Sequence, residues 1–157
     1  EGPVDIRLLR RQAEQFWDDD YEFDRGKADL RRDGSDVTLI ASGVCVANAL
    51  QAAETLAQEG VSARVLNIHT IKPIDADAVI KAASETGALV TAENHNVIGG
   101  LGSAVAEVLA EQRPTPLERG GVKDHFGQVG KAPYLMGVFG ITAADIAKAA
   151  RKAIARK

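Results

Sequence analysis

Glu93 and His95 form the pair in this chain best suited to acid–base chemistry, a carboxylate two residues from an imidazole at the end of an apolar run. No substrate or cofactor cradle is evident beside them, and a contact between subunits is the preferred reading. Just downstream, Gly99-Gly100-Leu101-Gly102-Ser103 opens a helix, where free amides would bind an anion. The spacing fails the dinucleotide fingerprint, since Val105 stands at the third glycine position. Gly127 and Gly130-Lys131 likewise miss the P-loop pattern, with Ala132 in place of its Ser or Thr. A tight loop that lets two backbones approach is preferred over a phosphate site.

His69, His95 and His125 fall on or near loops at one end of the expected sheet, but no two are spaced i, i+4. Hydrogen bonding at a surface or interface is expected of them, and no metal site. Cys45 lies near a helix N-terminus, which favours a thiolate. A nucleophile also needs a base, so a small packing residue is expected there. Arg7, Arg10 and Arg11 close an N-terminal run in which Val4, Ile6 and Leu8 alternate with polar residues. They read either as solvated charge or as bidentate phosphate ligands presented at a strand end.

These residues need elements to position them. Val37–Ala41, Ala63–Ile68 and Ala88–Ala92 are short apolar runs of the kind buried on both faces of a parallel sheet, and Leu117–Val122 is a weaker fourth. Between them Val46, Ala49, Ala53 and Leu56 follow helical spacing up to Gly60. Asp75 caps a second helix that Gly87 closes, and Leu101, Val105 and Leu109 mark a third. Thr142 with Asp145 makes a capping box for a last helix carrying Ile146, Ala149 and Ala153. Alternating strand and helix predicts a mostly parallel sheet with helices on both faces, a three-layer α/β sandwich. Ligands and partners of such sheets meet the loops after the strands' C-terminal ends.

Composition excludes several classes. The chain has 157 residues, 45% of them apolar and 4% aromatic, and a net charge of −3. It carries no basic stripe, so nucleic acid is not an expected partner. No apolar run reaches the roughly 18 residues that span a bilayer. The lone Cys45 excludes an internal disulfide and fits a reducing cytoplasm. Glu1-Gly2-Pro3 shows neither an initiator Met nor a signal peptide, which reads as a fragment or a trimmed chain.

Five motifs recur in order: Gly2-Pro3-Val4-Asp5-Ile6-Arg7; Asp36–Gly43; Ile68-His69-Thr70-Ile71-Lys72-Pro73-Ile74-Asp75; Thr91–Ala104; and Lys123-Asp124-His125-Phe126-Gly127. Together they resemble the C-terminal domain of the transketolase family, nearest to the separate C-terminal subunit of split transketolases. Deoxyxylulose phosphate synthases and the β subunits of 2-oxo-acid dehydrogenases are similar at greater distance, and a stand-alone interaction module is the rival from another class. The resemblance implies an enzyme that moves two-carbon ketol units between sugar phosphates with thiamine diphosphate and a divalent metal such as magnesium. It implies that upstream domains bind both, consistent with the absence of a Gly-Asp-Gly motif. Residues 1–9 are then the last strand of a preceding pyrimidine-binding domain, 10–35 a linker, and 36–157 the C-terminal domain. Arg10 matches in place an arginine that contacts the substrate phosphate.

The expected partners are the N-terminal transketolase domains or subunit, in a homodimer or heterotetramer. The loops at the strands' C-terminal ends are expected at that interface, through Glu93, His95, Ile98, Gly99, Gly100, Gly102, Asp124, His125 and Phe126. Val97 is expected to be exposed beside them.

Overall fold

The computed structural model describes residues 2–6, 8, 9, 15 and 17–157. The elements run β1 (Asp29–Arg32), β2 (Val37–Ala41), α1 (Cys45–Gln58), β3 (Ala63–Asn67), α2 (Ala76–Thr86), β4 (Leu89–Asn96), α3 (Leu101–Gln112), β5 (Leu117–Val122), α4 (Ala132–Val138) and α5 (Ala143–Ile154). They build a five-stranded sheet in the order β1-β3-β2-β4-β5. β2, β3, β4 and β5 are mutually parallel, and β1 pairs antiparallel with β3 at one edge.

Every residue of β2 is buried, as its central place requires. Side chains alternate across a strand, and here Val37, Leu39 and Ala41 enter one core while Ile40 enters the other. The first core lies under α1 and α5, where Val46, Ala49 and Leu56 meet Ile146, Ala150 and Ala153. The second lies under α2 and α3, where Val79 and Ala83 meet Leu101, Val105 and Leu109. Thr38, the polar residue of β2, shares its buried hydroxyl with Thr86 at 2.9 Å. That pairing removes most of the penalty of burying the two hydroxyls.

The helix ends follow the sequence signals. Asp75 Oδ1 accepts from the Ala78 amide at 3.2 Å, and Gly87 closes α2 at φ +66°. Thr142 and Asp145 form the reciprocal capping box of α5. Gly60 follows the end of α1 at φ +80°.

Two elements differ from expectation. β1 forms inside the stretch read as linker, and the residues before it strap that edge of the sheet. Trp17 Nε1 donates to Asp29 Oδ2 at 3.1 Å, the Phe23 ring lies 4.4 Å from that of His69, and the Ala28 amide donates to Asp75 Oδ2 at 2.9 Å. Charged Asp29-Leu30-Arg31-Arg32 hides its strand character because an edge strand needs little apolar side chain. α4 is the second difference, and it buries none of its residues. Val4, Ile6 and Leu8 are exposed, and residues 2–6, 8 and 9 carry no regular element.

Candidate functional site

The loops after β4 and β5 leave the same end of the sheet, and β4 is distorted where they part. Ala92 pairs with Gly120 and Asn96 with Val122, so β4 advances four residues while β5 advances two. Gly121 makes the bulge possible. A Cβ there would lie 2.9 Å from Val97 Cγ1 and 3.0 Å from the His95 carbonyl oxygen.

Within the bulge Glu93 turns inward and is only 1% exposed. Its Oε2 accepts from the Leu101 amide at 2.9 Å, and its Oε1 accepts from the Gly102 amide at 2.8 Å. These are first-turn amides of α3, which have no partner within the helix. The alternative of free amides open to an anion does not hold, because the chain's own carboxylate occupies them and complements the helix dipole, whereas the preferred tight loop is what the glycines form. A Cβ on Gly100 would collide with Glu93 Oε2 and reach within 2.8 Å of the Asn96 carbonyl oxygen. Gly99 turns at φ +76°. The Ser103 hydroxyl, named in the sequence only as part of the motif, completes the loop, accepting from the Gly99 amide at 2.9 Å and donating to the Val97 carbonyl at 3.0 Å. Arg119 Nη1 donates to the same carbonyl at 3.2 Å.

This arrangement separates Glu93 from His95, which is exposed. Glu93 and Gly102 lie inside the chain, so neither offers its side to a partner directly. Val97 is also buried, at 6% exposure, contrary to expectation, because the bulge turns it under β5. Ile98 projects instead at 64%. Across from it, Asp124 sits at φ +55° and accepts from Asn96 Nδ2 at 3.2 Å. His125 is exposed, Phe126 is 100% exposed and Val129, unanticipated, is 97% exposed. Gly99 is exposed and Gly100 half-buried. Arg10 lies outside the described residues.

The other candidates resolve as packing. Cys45 opens α1 but is fully buried, and burial, followed by the Glu93 charge, pushes its thiol up to about 12. That thiol is not a nucleophile at neutral pH. His69 pairs with the Thr70 hydroxyl at 2.8 Å under the Phe23 ring. Among the described residues no group of three or more His, Cys, Asp or Glu is placed to hold a metal ion. Nor is any helix among them long and apolar enough to cross a membrane.

Residues 26–146 match the transketolase C-terminal domain family. The chain is 55% identical over 157 residues to a 6-deoxy-6-sulfo-D-fructose transketolase subunit from Clostridium sp. (strain MSTE9), covering 100% of this chain and 49% of that protein. It is 40% identical over 149 residues to an apulose-4-phosphate transketolase subunit from Phocaeicola vulgatus, covering 94% of this chain and 47% of that one. Among solved structures, a split-gene transketolase in the form of an inactive beta4 tetramer superposes with a TM-score of 0.88 at 43% identity, covering 91% of this chain and 47% of its own. The chain thus spans about half the length of the curated relatives it matches. Its five-stranded sheet, its order of elements and its sequence make it a member of the transketolase C-terminal domain family.

Proposed function

We propose that this chain is the C-terminal section of a split-type, thiamine-diphosphate-dependent transketolase that moves two-carbon ketol units between sugar phosphates. Within that enzyme it is an assembly domain that carries no chemistry of its own. The relatives named as transketolase subunits support this reading. The residues present do not fit the cofactor. The helix start that the sequence offered to an anion is already filled by Glu93, whose carboxyl group takes the amides a diphosphate would use there. Thiamine diphosphate and magnesium therefore belong to domains upstream, and the reduced, buried Cys45 is in keeping with a cytoplasmic enzyme. We assign residues 1–9 to the closing strand of a preceding domain, and Arg10, just after it, is our candidate for a substrate-phosphate contact.

The observation that carries the reading is the apolar exposure at the strands' C-terminal ends. Ile98, Phe126 and Val129 stand out from the two loops that leave this end of the sheet, where a monomer would leave them in water. We assign this end to docking on the N-terminal section of the enzyme, within a homodimer or heterotetramer. Burying one large apolar side chain favours association by about 1.5–3 kcal/mol. Ile98→Asp with Phe126→Asp should then weaken assembly at least about a hundredfold with the circular dichroism of the chain unchanged. Sedimentation of the co-expressed sections reads this directly, and unchanged assembly would move the interface elsewhere. Calorimetry should also find no thiamine-diphosphate binding to the chain by itself.

A further inference from the structure

The carboxylate of Glu93 does at the start of α3 what a bound anion does in other folds, and it does so permanently. It is buried, it accepts from two successive amides, and it lies against Gly100, where the docking loop ends and α3 begins. A second buried group points to the same place. Thr91, one pleat earlier on β4, is fully buried, and its hydroxyl has no hydrogen-bond partner among the described residues. That hydroxyl lies beneath Gly102, where an added Cβ would come within 2.9 Å of it. The helix end is thus lined by two amides and an unused hydroxyl, and a carboxylate grown from the strand fills it.

We propose that Glu93 is the positioning residue of the docking loop, a built-in anion that can be replaced in kind by a free small carboxylate. This deepens the reading of the loop as a docking surface and rests on it. Its two oxygens hold Leu101 and Gly102, and through them Gly100 and Gly99, so that Ile98 projects in one geometry. A glutamine cannot substitute fully. It presents one oxygen where the helix end asks for two acceptors, and it turns an NH₂ group toward the second amide.

Glu93→Ala and Glu93→Gln separate this from a merely structural role. In the assembled enzyme, Glu93→Ala should weaken association of the two sections at least tenfold, and Glu93→Gln by less. Formate or acetate should restore most of the loss in Glu93→Ala, while chloride at equal ionic strength and neutral acetamide should not. In the isolated chain, NMR should show the Leu101 and Gly102 amide protons of Glu93→Ala moving as formate is added. Those of the parent chain should stay still. Association that falls without carboxylate rescue, or amides that ignore formate, would overturn the proposal. If Glu93→Ala does not fold, Glu93→Gln decides, since parent-like association and parent-like amide shifts in it would overturn the proposal equally. If formate moves the amides while neither Glu93→Ala nor Ile98→Asp with Phe126→Asp alters assembly, the anion site stands, the docking reading fails, and Glu93 loses its positioning role.

Discussion

The loop after β4 and the loop after β5 leave the sheet side by side and are built on opposite principles. The first is held from beneath, with Glu93 on two amides, Ser103 bridging Gly99 and Val97, and Arg119 on the Val97 carbonyl. The second runs from Lys123 to Lys131 with every residue exposed. Its side-chain ties are Lys123 Nζ to the Arg119 carbonyl, Asn96 to Asp124 and Gln128 to Tyr134. One loop therefore has its shape before any partner arrives, and the other presents Phe126 and Val129 with little to fix them. A preformed surface lowers the ordering cost of binding, whereas a bare one pays it on contact. The two together suit docking in which the β4 loop sets the register and the β5 loop adds apolar area.

The largest break in this contrast should come from glycine. Gly100 lies at φ −98°, a conformation open to any residue, so replacing it tests space alone. Its Cβ would meet Glu93 and the Asn96 carbonyl, both fixed. Gly100→Ala should lower unfolding stability by roughly 2–3 kcal/mol, as overpacking of a tight site does. Gly127, on the other loop, has no atom within 4 Å of the place a methyl group would take. Gly127→Ala should stay within about 0.5 kcal/mol of the parent. Urea unfolding of both variants checks this, and equal midpoints would mean that the first loop is no more tightly built than the second.

How far can this be read from the residues? The three-layer sheet is legible because β2, β3 and β4 are apolar runs divided by helical periods, and because Asp75, Gly87 and Thr142 are caps with a local mechanism. The inward turn of Glu93 is not. It depends on the bulge in β4, which depends on room left by Gly121 on a different strand. Nothing within Thr91–Ala104 reports that neighbour. Val97 misleads for the same reason, since its burial follows from the bulge and not from the alternation of its own strand. β1 escapes notice because three of its four residues are charged and its stability comes from pairing with β3 and from Trp17 packing against its Arg31. The exposure of Ile98 and Phe126 is legible because large apolar residues among glycines and charges have no periodic face to join.

A smaller effect should come from the bridge between the loops. Asn96 uses both ends of its amide: Oδ1 accepts from the Ile98 amide at 2.9 Å and Nδ2 donates to Asp124. Both bonds are exposed, so water replaces them in part, and Asn96→Ala should cost about 1 kcal/mol. The informative readout is local. Hydrogen exchange should speed at the Ile98 amide and stay unchanged at Leu101 and Gly102, which Glu93 still holds. Faster exchange at all three would show that the two loops share one support, and the contrast between them would fall.

The smallest effect tests where the barer loop is rooted. Its strand, β5, is tied to α5 through Glu118, which meets Lys152 at 2.9 Å and also pairs with Arg156. Burial pushes the Glu118 carboxyl up, but the hydrogen bonds from Lys152 and Arg156 outweigh it and hold the group below the usual glutamate range. A carboxyl depressed in the folded state stabilises the fold above the unfolded glutamate value, roughly 4.3. That contribution is lost as pH falls through the lower folded value. Lys152 and Arg156 are 69% and 48% exposed, so water screens the pairs strongly. Glu118→Gln should therefore lower stability at neutral pH by less than about 1 kcal/mol. Melting temperatures of parent and variant should converge as pH is lowered through the glutamate range, and added salt should narrow the gap at neutral pH. A gap that persists in acid would mean that Glu118 holds β5 by packing and not by charge, and the root of the β5 loop would then be as apolar as its tip.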